Sequence, residues 1–104
     1  MKAYKGVTKG LKGCNGFQFE VGKTYHEEKA KCHSCGFHVG DRIGVCMQNG
    51  FTPSKDIILE VEIFGDIDRE QVSGGYAYAA TDITILRILS QEEIMQMIAF
   101  GEVV

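Results

Sequence analysis

The chain has no tryptophan and a single proline, Pro53, in 104 residues. It also has no proline-rich linker, internal repeat or low-complexity segment, so nothing divides it and one domain over 1–104 is expected. No apolar run approaches the roughly 20 residues that cross a bilayer as a helix. The start, "MKAYKGVTKG", has no apolar core of signal-peptide length. A cytoplasmic protein with no membrane partner is therefore expected, and its four cysteines should be free thiols or metal ligands rather than disulfides. Clustered arginine interleaved with aromatics, the usual mark of a nucleic-acid binder, is missing as well.

Charge is present but unevenly spread. Residues 1–31 hold seven lysines against three acids, while residues 32–104 hold eleven acids against four basic residues. Lysines at strand edges and turns discourage aggregation. The acidic remainder argues against direct DNA binding.

Glycines at 6, 10, 13, 16 and 22 divide the first third into short strands joined by turns. "KAYKGV" is the first expected strand. "GFQFEVGKTY" alternates, with Phe17, Phe19 and Val21 on one face, and "KTYHEE" and "CGFHV" are short strands. "DRIGVCMQNG" predicts a helix capped by Asp41, with Ile43, Cys46 and Met47 on one face and Asn49-Gly50 at its end. "DIILEVEIFG" is the clearest strand: Leu59, Val61 and Ile63 face one way, Glu60 and Glu62 the other. "GDIDREQVSGG" is expected as a loop around no particular order. "YAYAATDITILRIL" is one long strand, or two with a bend near Asp82. "SQEEIMQMIAFG" predicts a helix opened by a Ser90–Glu93 capping box, striped by Ile94, Met97 and Ile98, and stopped at Gly101. The fold class that follows is α+β, a mostly antiparallel sheet with one helix after the "GFH" strand and one at the C-terminus.

Chemistry concentrates in "KCHSCGFHVG". Cys32 and Cys35 have the C-x2-C spacing that lets two thiolates of one turn reach a zinc ion. The other ligands would come from Cys14, His38 and Cys46, ahead of His33 and His26. The alternative is that Cys14 and Cys46 are small buried hydrophobes and Cys32 and Cys35 are loop thiols. No second C-x2-C pair is present and no βαβ pattern surrounds "CHSC", so no metal and no redox pair is the expectation, with zinc as the alternative. A Cys14 nucleophile with His38 as base is a further arrangement to test. Glu60 and Glu62 could serve as acids, or form the wet side of an apolar strand. Tyr4, Tyr25, Tyr76 and Tyr78 are core or contact surface.

Beyond these local patterns, "AYKG" at 3–6, "GCNGFQFEVGKTY" at 13–25 and a cysteine before "GFH" at 36–38 resemble a small domain of unknown function common in bacteriophage and prophage proteins. "VEIFGDI" at 61–67 and "AATDITI" at 79–85 extend the resemblance over nearly the whole chain. It brings no activity with it. Cys14, Cys32 and Gly36-Phe37-His38 belong to the shared pattern. Cys35 is an addition, and Gly40 stands where many members carry a cysteine. A second similarity is to a reduced ADP-ribosyltransferase, in which Tyr4, Lys5 and His38 would line a nucleotide cleft and Glu60 or Glu62 would be the acid. There Lys5 replaces the usual Arg or His, and His38 replaces Tyr. The expectation from these readings is a non-catalytic accessory protein in the host cytoplasm. It would bind a host protein, concretely as inhibitor of a nucleic-acid-binding defence enzyme, and exposed sheet edges would allow a homodimer.

Overall fold

The computed structural model describes residues 1–13, 16–48, 50–52 and 55–99. Strands β1 (Lys2–Val7), β2 (Thr24–His26) and β3 (Phe37–Gly40) precede helix α1 (Ile43–Gln48). Two long strands follow, β4 (Ile57–Val72) and β5 (Gly75–Ile88), and then helix α2 (Gln91–Ala99). All strand pairings are antiparallel, as the α+β expectation requires.

The sheet returns on itself. β4 pairs with β1 along one edge and with β5 along the other, and β5 continues through β3 to β1. The β1–β3 seam is thin, a single register pair, Tyr4 with Gly40. β2 and β3 share one edge of β5, at Asp82–Thr84 and Ala77–Ala80 respectively.

The ring encloses Ala3, Val7, Phe19, Phe37, Val39, Leu59, Val61, Ile63, Ala80, Ile83 and Ile85. The period-2 alternation of β4 places Leu59, Val61 and Ile63 in that interior, as the sequence pattern implies. Ile58, of opposite parity, joins Ile43, Cys46, Leu89 and Ile94 in a second cluster beneath the helices. Each such Leu or Ile side chain contributes roughly 1.5–3 kcal/mol by leaving water.

Several local expectations change. Residues 66–72, expected as loop, continue β4, because the Ser73-Gly74 turn (Gly74 φ +83°) folds them against β5 as a hairpin. The alternating stretch from Phe17 to Val21 is not a strand: Phe19 alone of the three is buried, and Phe17 and Val21 are exposed. Gln18 forms one antiparallel bridge with Lys12, and Phe17 and Phe19 pack their rings on Tyr25 and Phe37. Asp41, two residues before α1, has its Oδ1 accepting a hydrogen bond from the Tyr76 N–H (3.1 Å), which ties the start of the helix to β5. Met47 and Ile98 are exposed, while Val45 is buried. The capping box does form: Glu93 N–H donates to Ser90 Oγ (3.1 Å) and Ser90 N–H to Glu93 Oε1 (3.0 Å). Gly50, with φ +92°, follows α1 where the Asn49-Gly50 stop is expected, while Asn49, Gly101 and Pro53 lie outside the described residues.

β5 is one continuous strand, and β4 carries a bulge opposite Asp82. Register shifts between Phe64 and Ile67, opposite Asp82 and Ala80. Gly65 takes φ +78° at this bulge, and a Cβ there would collide with Thr81 Oγ1 and Asp82 Oδ2. Asp66 N–H donates to Thr81 Oγ1 (2.9 Å), Thr81 Oγ1–H to Asp82 Oδ2 (2.7 Å), and Asp82 Oδ1 meets His26 Nδ1 (2.8 Å). This chain satisfies Thr81, the one buried polar residue among those described.

Candidate functional site: a cleft beside the CHSC loop

A cleft of about 670 Å³ opens along the thin β1–β3 seam. Tyr4, Lys5 and Gly6 of β1 and His38 and Gly40 of β3 line it. The loop 32–36 borders one side, and Val45, Cys46 and Gln48 of α1 border another. Small residues make the space: a Cβ on Gly40 would lie 2.7 Å from the Val45 Cβ, so α1 can lie this close to β3 only over glycine.

The loop owes its form to its ends. Lys31 and Cys35 exchange backbone hydrogen bonds of 3.0 Å, and Ser34 N–H also donates to Lys31 O. His33 turns the chain with φ +66°. Two acids of β4 anchor the turn. Asp68 Oδ2 accepts from Cys32 N–H (2.8 Å), and Glu70 Oε1 meets His33 Nε2 (2.8 Å). The sequence pattern leads one to expect Asp68 and Glu70 in a loop, whereas both stand on β4. The signal that could have placed them is their own alternation with Ile67, Arg69 and Gln71 ahead of a Ser-Gly-Gly turn.

Electrostatics mute the site's chemistry at neutral pH. Burial, then the charges of Asp68 and Glu70, push the Cys32 thiol up, which favours S–H over thiolate. Burial lowers the His38 imidazole, and Lys5 and His33 lower it further. Lys5 Nζ donates to the His38 carbonyl (2.8 Å) and stands 5.6 Å above the Phe19 ring. His33 is raised by its hydrogen bond to Glu70, and His26 by its hydrogen bond to Asp82.

The structure brings Tyr4, Lys5 and His38 to this one cleft. It does not bring Glu60 and Glu62, which the cleft lining does not include. Glu60 receives Arg87 (Nε and Nη2, each 3.4 Å) and Lys2 (3.8 Å), and Glu62 pairs with the N-terminal ammonium of Met1. The acid that does line the cleft is Glu27.

Of the candidate metal ligands, Cys32, Cys35, His38 and Cys46 also line the cleft, and Cys14 lies outside the described residues. Cys46 is turned into the helix cluster, its Sγ 3.3 Å from Tyr4 O. Among the described residues no three His, Cys, Asp or Glu side chains are gathered as a metal would require.

Residues 1–97 match a family described as a domain of unknown function, DUF7666. The chain belongs to the DUF7666 family. No curated protein and no solved structure matches it. The DUF7666 match covers every strand and both helices up to Met97, so the cleft, the loop and the long hairpin all lie within the family's domain. Among the described residues no helix of this DUF7666 chain is long and apolar enough to cross a membrane.

Proposed function

We propose that the protein is a binding module that acts on another protein without catalysis. In its concrete form it is a phage- or prophage-type accessory protein of the host cytoplasm that inhibits a host defence enzyme. The observation that carries this reading is the far half of the β4–β5 hairpin. Ile67 is exposed there, the Arg69 guanidinium lies 4.9 Å from the Tyr76 ring centre, and Tyr78 stands beside Tyr76 with ring centres 6.4 Å apart. Arginine and tyrosine on a rigid scaffold are the residues that most often dominate protein contacts. The acidic excess of residues 32–104 suits a basic partner surface such as a nucleic-acid channel. The sequence pattern shared with phage and prophage proteins supports the setting. The test is capture from a bacterial host lysate with wild-type and Arg69→Ala/Tyr76→Ala baits. The expected result is a host protein retained by the wild type and lost by the variant. Retention of nothing above background overturns the reading. No cofactor is needed, and elemental analysis should return no stoichiometric zinc.

A second reading, a reduced ADP-ribosyltransferase-like or nucleotide-binding domain, draws on Tyr4, Lys5 and His38 sharing the cleft. It requires an NAD-induced rise in melting temperature that His38→Ala removes. No shift with millimolar NAD eliminates it.

A further inference from the structure

β4 ends as an edge. From Lys2 to Val7, β1 covers the outer side of Ile57–Glu62, and Met1 O extends that cover by accepting from Ile63 N–H (2.9 Å). Beyond the bulge, no strand among the described residues pairs with the outer side of Ile67–Val72, while β5 pairs with its inner side along the full length.

The direction of the backbone groups follows from the hairpin. Tyr76 faces Gln71 in register, yet its N–H and C=O go to Asp41 on the far side, at 3.1 Å each. In an antiparallel pair the opposite residue then also points away. Gln71, Arg69 and Ile67 therefore present their backbone groups outward. Asp68 Oδ1 covers one of them, the Arg69 N–H (3.0 Å). The side chains of Asp68 and Glu70 stand on one face of this edge, and those of Ile67, Arg69 and Gln71 on the other.

The geometry points to strand addition at Ile67–Val72 by an extended segment of a partner protein, with basic residues alternating with apolar ones. This rests on the reading of the protein as a binding module and names the segment it would take. A strand added here sets every second side chain beside Asp68 and Glu70, and the alternate ones beside Ile67, Arg69 and Gln71, where the Arg69 charge disfavours a second basic row. Lysine or arginine on the first face and valine or isoleucine on the second satisfy both.

A second copy fits poorly. Antiparallel self-pairing must join outward-pointing residues. Arg69 with Arg69 sets Asp68 against Glu70. Ile67 with Arg69 sets Asp68 against Asp68, and Arg69 with Gln71 sets Glu70 against Glu70. Each register that pairs most of this edge opposes like charges, which blunts self-association.

The test uses the full chain and two labelled octapeptides, one alternating lysine and valine, the other glutamate and valine. Fluorescence anisotropy should show binding of the lysine peptide at least about tenfold tighter, with amide NMR shifts centred on residues 66–72 and on Cys32 and His33, which Asp68 and Glu70 hold. Gln71→Pro removes an outward N–H and leaves the β5 ladder intact, so it should keep the wild-type melting temperature and lose the peptide. Glu70→Gln, which keeps a partner for His33, should weaken the lysine peptide severalfold and the glutamate peptide not at all. Equal binding of both peptides, binding unaffected by a folded Gln71→Pro, or a concentration-dependent dimer abolished by Gln71→Pro each overturns the proposal. If a lysate partner is retained equally by wild type and Gln71→Pro, the edge is wrong and the binding-module reading stands. If the lysine peptide binds while no lysate protein does, the edge stands and that reading falls.

Discussion

The near and far halves of the β4–β5 hairpin are made by the same two strands, joined across one bulge, and they have different physical roles. In the near half, Ile58, Leu59, Val61 and Ile63 are fully buried, with β1 on one side and β5 on the other. In the far half, Ile67 keeps 41% of its surface exposed, and the outer edge has no strand beside it among the described residues. Secondary structure is the same in both halves; enclosure is not. Stability should reside in the near half and recognition in the far one.

The largest effect should come from Leu59→Ala, which empties a site inside the ring and should cost about 2–5 kcal/mol. Ile67→Ala should stay within about 0.5 kcal/mol of wild type. Urea melts of the two variants measure the contrast directly, and equal losses would dissolve the distinction between the halves.

Gly65→Ala tests the hinge between them. A non-glycine residue at φ +78° costs about 1–2 kcal/mol, and the added Cβ also displaces Thr81 and Asp82. A drop in melting temperature of about 4–8 °C per kcal/mol lost is expected for a domain of this size.

The imidazole clips that fasten β2 and the CHSC loop to the hairpin should make stability depend on pH. His26 and His33 are raised above 6.5 in the folded state. Their contribution is complete below about pH 6.5 and is lost as pH rises through the raised values. Asp82 is lowered from 3.8, so its contribution is complete above that value and lost as pH falls through the lowered one. Between about pH 4 and 6.5 these contributions are complete together, while His38, lowered by burial, removes stability as pH falls below 6.5. His26→Ala/His33→Ala should flatten the fall on the alkaline side of that range.

The smallest effect separates cleft from hairpin without altering stability. In an NMR titration His38 should lose its proton at lower pH than His26 and His33, because burial and Lys5 oppose its charge while carboxylates favour theirs. A His38 that titrates last would mean that the cleft is wetter than its lining implies.

Much of the fold is legible in order along the chain. Alternation in 57–63 sets Leu59, Val61 and Ile63 inside, and the spacing of Ser90 and Glu93 opens α2, because both patterns depend on neighbours a few residues away. Local signals fell short where a distant group took part. Asp41 has the residue type and position of a helix cap, and its carboxylate also meets the Tyr76 N–H of β5, a contact that its neighbours in the chain do not announce. Phe17 and Val21 alternate like a strand, but both stay exposed, and it is Phe19 that the Tyr25 and Phe37 rings help enclose. The site divides in the same way. Chain connectivity alone keeps Cys32, Cys35 and His38 near one another, since the seven residues from 32 to 38 cannot separate them far. The sequence by itself also determined the acid-rich, alternating character of 66–72. Tertiary structure alone decided that Tyr4, Lys5 and Cys46 line the same cleft, that Glu60 and Glu62 do not, and that Asp68 and Glu70 hold the CHSC turn. Those relations depend on which strands become neighbours when the sheet closes. Pairing across more than thirty residues is set by the packing of the whole ring, which no local pattern encodes.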